Sequence, residues 1–157
     1  MINKEIVTKA VIGKSKKSST DNFSITCENN ATTILGCWII NHHFNGNIIG
    51  NNVNIIGSYD VNVWYSYDND TKTAVAKETY NYIDNINLNI KEKLNDKEVI
   101  VRSLKAPTVK DVSSKDNIIT LDIDKELAIE VVGDAKIKVP TQVIDDDYED
   151  ITGKASI

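Results

Sequence analysis

Apolar and polar residues alternate with period two through most of the chain. In residues 58–67 the odd positions carry Tyr59, Val61, Val63, Tyr65 and Tyr67, while the even ones are mostly Ser, Asp and Asn. From 85 to 91, Ile86, Leu88 and Ile90 oppose Asn85, Asn87, Asn89 and Lys91. Near the end Leu121, Ile123, Leu127, Ile129 and Val131 alternate with Asp122, Asp124, Glu126 and Glu130. Lys125 is the one exception on that apolar phase. Such alternation predicts antiparallel strands with one buried face.

Turn-forming residues punctuate the runs at 45–47, 50–52, 68–70, 94–98 and 133–134. The strands predicted between them span roughly 4–13, 22–28, 34–42, 53–66, 72–91, 98–104, 118–131 and 135–139, with a break near Asp84. No window carries an amphipathic helix with capping signals. Residues 113–131 offer one helical reading, but alternation and β-branched residues favour a strand. The expected fold is all-β: an antiparallel β-sandwich or barrel-like domain of about eight strands over residues 1–142. Residues 143–157 read as an acidic, flexible tail.

The charge distribution sharpens that division. The net charge is −5, and residues 141–157 hold Asp145, Asp146, Asp147, Glu149 and Asp150 against Lys154 alone. The nearly neutral remainder has no electrostatic footprint for nucleic acid. Lys14, Lys16 and Lys17 read as a solvated loop. The N-terminus lacks the apolar stretch of a signal peptide, and no window is apolar for the length of a membrane span, so a cytoplasmic protein is expected. The 18 asparagines, 23 isoleucines and 17 lysines share A/T-rich codons, so the asparagine excess carries no functional reading.

Little in the sequence encodes catalysis. Gly13-Lys14-Ser15 resembles the end of a phosphate loop, but Thr8 stands where its first glycine belongs. Cys27, Cys37, His42 and His43 lack the close pairing of structural zinc ligands, and adjacent histidines on a strand point to opposite faces. No nucleophile elbow exists, and the carboxylates fall almost entirely on polar phases or in turns. No catalytic residue, cofactor or metal is assigned.

Trp64 is the anomaly. It lies on the polar phase beside Asp60, Asn62 and Ser66. A two-residue turn at Asn69-Asp70 places Val75 opposite Trp64 and Ala74 opposite Tyr65. Three readings stay open: cover by another part of the chain, a stacking platform, or an interface anchor. Edge strands offer a second route to self-association. A carbohydrate-binding module built on Trp64, Tyr65 and Tyr67 requires aromatics on one face, whereas Trp64 and Tyr65 alternate.

"ILGCWIINHHF" at 34–44, "GSYDVNVWYSYDNDTKTAVAKE" at 57–78 and "KELAIEVVGDAKIKV" at 125–139 closely resemble segments of the spore coat protein E (CotE) family, outer-coat morphogenetic proteins of endospore-forming bacteria. The opening "EIVTKAVIGKSKK" also fits, and the resemblance covers most of residues 4–139. It implies a non-enzymatic scaffold that multimerises in the mother cell, attaches to the basement layer and recruits outer-coat proteins at the spore surface. On that reading Trp64, Asn62, Asp60 and Val75 are self-assembly candidates. Asp145, Asp146, Asp147, Tyr148, Glu149 and Asp150 form a partner-binding tail. Cys27, nearer a polar loop, is the better candidate for an intermolecular disulfide, and Cys37 in "GCW" reads as core.

Overall fold

The computed structural model describes residues 3–88 and 97–140, with side chains over 9–88 and 97–134. Six long strands follow in order: β1 (Asn3–Thr26), β2 (Thr33–Ile49), β3 (Asn52–Tyr67), β4 (Lys72–Asn87), β5 (Glu98–Lys115) and β6 (Ile118–Pro140). They form two three-stranded antiparallel sheets, ordered β1-β6-β5 and β2-β3-β4. Neither sheet closes on the other, so the expectation of a sandwich holds and that of a barrel does not.

The eight expected strands become six because two fusions remove breaks. The segments 4–13 and 22–28 belong to one strand, as do 118–131 and 135–139. The polar stretch between Lys14 and Asp21, read as a loop, stays extended because each residue pairs with β6. Its outward side chains also reach across the ladder. Ser18 donates to Glu126 at 3.0 Å, Thr20 to Asp124 at 2.6 Å and Asn22 to Asp122 at 2.7 Å. These cross-strand pairs substitute for apolar content.

The expected turn at 45–47 also lies inside a strand. A Cβ at Gly46 would stand 2.6 Å from Val101 Cγ2, so glycine there lets β2 approach β5 of the opposite sheet. The expected turn at 133–134 is likewise part of β6, and β4 runs through Asp84 without a break. The turns at Gly50-Asn51 and Asn69-Asp70 are as expected. Gly50 adopts φ 61°, and Asp68, Asn69 and Asp70 adopt 51°, 54° and 65°. Positive φ at both Asn69 and Asp70 suits the twist of a tight hairpin, and asparagine and aspartate tolerate it best after glycine. Ser66 and Thr33 both donate to the Asp70 carboxylate and fix the loop.

The inner faces of the two central strands supply most of the core. From β3 come Val53, Ile55, Tyr59, Val61, Val63 and Tyr65; from β6 come Ile119, Leu121, Ile123, Leu127, Ile129 and Val131. β2 lies over β5 and β4 over β1 at the margins. The acidic segment 143–157, with Asp145, Asp146, Asp147, Tyr148, Glu149 and Asp150, lies outside the described residues, as does most of the turn at 94–98.

Candidate functional site: an apolar outer face and a buried polar cluster

The outer faces of the two sheets differ in character. That of β1-β6-β5 carries the polar ladder described above, extended by Lys9–Asp134 and Arg102–Glu130 ion pairs. Among the described residues, the strands β2, β3 and β4 hold eight of the eleven large apolar side chains that stand exposed: Leu35, Trp38, Ile40, Ile49, Ile56, Trp64, Val75 and Ile83. Scattered exposed apolar residues are ordinary, but here they concentrate on one sheet.

The strand register assembles that surface. Trp64 faces Gly36 of β2 on one side and Val75 of β4 on the other. A Cβ at Gly36 would lie 3.9 Å from Trp64 Cε3, so the ring leans over the glycine. Two residues along, Asn62 faces Trp38 and Lys77. Trp38, Trp64 and Val75 keep 43%, 44% and 44% of their surface exposed, whereas Asn62 keeps 3%. The Asn62 Nδ2 is buried without a hydrogen-bond partner. Leaving a buried donor unsatisfied costs about 1–3 kcal/mol.

Asp60 braces the next rung. Its carboxylate accepts from Asn41 Nδ2 at 2.8 Å and from Thr79 Oγ1 at 2.6 Å, tying both flanking strands to β3. These hydrogen bonds, Asn41's foremost, hold the Asp60 carboxyl below its ordinary pKa. Of the four expected assembly residues, Trp64 and Val75 are therefore available for contact, Asp60 is a brace and Asn62 lies beneath the surface. Trp38 and Ile40 join the face although the sequence reading did not select them. Strict alternation counted from Cys37 and Ile39 would have found them.

The interior holds a second cluster. Lys125, whose side chain is 0% exposed, places Nζ 2.8 and 3.0 Å from the two oxygens of Asp21 and 3.5 Å from Asp84 Oδ2. It also donates to Ser19 Oγ at 3.0 Å and sits 4.0 Å from the centroid of the Tyr82 ring. Tyr59 donates to Asp21 Oδ2 at 2.7 Å, Lys17 lies 3.6 Å from Asp84, and His42 Nε2 shares a 2.6 Å hydrogen bond with the Tyr82 hydroxyl. Asp21 and Asp84 thus correct the expectation that carboxylates stay on polar phases. Both stand on inward phases, Asp21 with Phe23 and Ile25, Asp84 with Tyr82 and Ile86. There both pair with Lys125.

Burial pushes the Tyr59 and Tyr82 hydroxyls well above their usual pKa; for Tyr59 the Asp21 hydrogen bond adds to the effect. Burial, reinforced by the Lys125 charge, lowers that of His42. His42 turns inward while His43 is exposed, as adjacent strand residues should. Among the described residues no three His, Cys, Asp or Glu side chains gather as metal ligands.

Cys27 departs from its expected exposure, whereas Cys37 packs against the core. Cys27 is buried, its amide donating to the Asn117 carbonyl at 2.7 Å, and Cys37 is half-buried. Burial raises the pKa of both, making each a poor nucleophile. The platform of Trp64, Tyr65 and Tyr67 does not exist on one face, since Tyr65 is buried in the core.

Against known proteins, the family model described as outer spore coat protein E (CotE) matches residues 3–155. The chain belongs to the CotE family. Its role is thereby in the spore coat, and the family places it in the outer layer. No curated protein and no solved structure matches this CotE chain.

Proposed function

We propose that this CotE-family protein is a morphogenetic scaffold that assembles with further copies of itself through the outer face of β2-β3-β4. The observation that carries the reading is the asymmetry of the sandwich. One outer face is satisfied by its own polar ladder, and the other exposes Trp38, Ile40, Trp64 and Val75. Tryptophan is the residue most enriched at interface hot spots, and a coat must repeat one contact many times.

The ladder edges add to this. β4 pairs with β3 over its whole length without a register shift, whereas β1, β2 and β5 each carry bulges. Bulges blunt an edge against strand addition, so β4 is the edge best suited to a second copy. The acidic residues Asp145–Asp150 supply a charged segment for basement-layer and outer-coat proteins, in the mother cell and then on the spore. A covalent seal through Cys27 or Cys37 requires local opening, because both thiols are shielded.

Sedimentation velocity of the full chain tests the reading. Concentration-dependent multimers that a Trp38→Ala/Trp64→Ala double variant loses would support it. A wild-type chain that stays monomeric at high concentration would sink it. A second reading rests on Trp38 and Trp64 sharing one face, which is what a stacking platform for a glycan needs. Saturable glycan binding by the monomer would favour that alternative.

A further inference from the structure

We propose that Lys125 and Asp21 join in an intramolecular isopeptide bond, formed without any other protein and covalently tying β6 to β1. The inference concerns the sandwich interior and holds whether or not copies associate through the outer face.

Amide formation between side chains needs an amine held against a carboxyl carbon, a proton relay, a donor for the carbonyl oxygen, and little water. The interior supplies each one. Lys125 Nζ is 2.8 Å from Asp21 Oδ2 and 3.0 Å from Oδ1, which puts the nitrogen next to the carboxyl carbon between them. Asp84 Oδ2, 3.5 Å from the same nitrogen, comes from the opposite sheet as the relay. Tyr59 donates to Asp21 Oδ2 at 2.7 Å, the oxygen that bears negative charge when the carbon becomes tetrahedral. The Lys125 side chain has no exposure, and Asp21 keeps 10%, an exit for a small leaving group.

An ordinary ion pair would not by itself call for a lysine at this place. A buried charge pair repays its desolvation only with excellent geometry, and replacing it by apolar residues is often neutral or stabilising. Here the lysine sits on an apolar phase between Ile123 and Leu127, where a leucine would satisfy the pattern.

The step balances without a co-reactant. The Lys125 ammonium carries three protons; one remains in the amide. The other two move to Asp21 Oδ1, at least one by way of Asp84. The nitrogen lone pair forms the N–Cγ bond, the Cγ–Oδ1 bond breaks, and Oδ1 departs as water. Asp84 ends ionised, as it began. Two opposite charges vanish from the core, and the amide that replaces them can still accept from Tyr59.

Intact-mass spectrometry of the full purified chain decides. The expected mass is that of the sequence less one water. Tryptic digestion should then yield the peptides carrying Asp21 and Lys125 as one branched species, with no cleavage after Lys125. Lys125→Met and Asp21→Ala should keep the full sequence mass, and Asp84→Ala should slow the loss of water at least tenfold. Because the wild-type mass is decisive alone, failure of a variant to fold does not shield the proposal. A wild-type chain that retains its full mass after prolonged incubation overturns it. So does a water loss that maps to Asp84 or to any other residue.

Discussion

Trp64 stands directly opposite Val75 across the β3–β4 ladder, and both side chains are exposed. The pair is set by the Asn69-Asp70 turn, where Thr71 N–H donates to the Asp68 carbonyl at 3.2 Å. Replacing Trp64 with alanine should therefore weaken association far more than it weakens the fold. A hot-spot anchor costs more than about 2 kcal/mol on truncation, which is over tenfold in dissociation constant. Analytical ultracentrifugation and thermal melts, run side by side, separate the two effects. Equal association with a lowered melting temperature would assign Trp64 to the fold alone.

Asn62 separates stability from assembly. Its amide nitrogen is buried and unpartnered on the outer side of the sheet. Asn62→Leu removes that unsatisfied donor, and should raise monomer stability by about 1 kcal/mol in denaturant unfolding. Because that nitrogen lies beneath the surface, the same change should leave assembly unchanged. Gain of stability with unchanged assembly would confine Asn62 to the monomer.

Gly57 faces Tyr82 across the ladder, and any Cβ there would overlap the Tyr82 ring and hydroxyl. Tyr82 in turn covers Lys125 and binds His42. Gly57→Ala should displace the ring and destabilise the fold by about 1–3 kcal/mol, the usual range for overpacking. Denaturant unfolding checks the magnitude. A change in tyrosine fluorescence would report the moved ring.

The strands were legible wherever apolar residues alternate, and so was the β3–β4 register, because Asn69-Asp70 fixes it. Strand length was not legible. At Lys14–Asp21 the stabilisation comes from cross-strand partners about a hundred residues away, which no local window contains. Trp64 declared itself by standing on a polar phase. Lys125 did so too, by standing on an apolar one, but its carboxylate partners could be chosen only once β1 and β4 were in place. Cys27 looked peripheral because of its polar neighbours, and the fold folds it inward beneath the β5–β6 turn.

His42 sets an acid limit. Its pKa is lowered from 6.5 by burial first and by the Lys125 charge next, with Asp21 opposing and His43 adding to the depression. The unfolded chain therefore binds a proton more readily than the folded one. Stability is full above pH 6.5 and falls as the pH drops below it. His42→Gln should flatten this slope while leaving the alkaline limb intact. That limb starts near pH 10, where unfolded tyrosines ionise but Tyr59 and Tyr82, with raised values, resist. Unfolding free energies across both ranges would show whether the two slopes separate in this way.

The thiols allow a last prediction about sealing the coat. Cys27 packs in the core beside Tyr65, and Cys37 faces inward on the flanking strand β2. Burial raises both thiol pKa values, so little thiolate is present near neutral pH. In the native chain both should react with a maleimide or disulfide probe at least tenfold more slowly than in denaturant. Cys37, on an outer strand and only half-buried, should react before Cys27. If oxidised assemblies contain covalent dimers, Cys37→Ser should then remove more of them than Cys27→Ser. Rapid native labelling of Cys27 would contradict the packing, and dimers lost only in Cys27→Ser would show that oxidation proceeds through an opened β1–β2 connection.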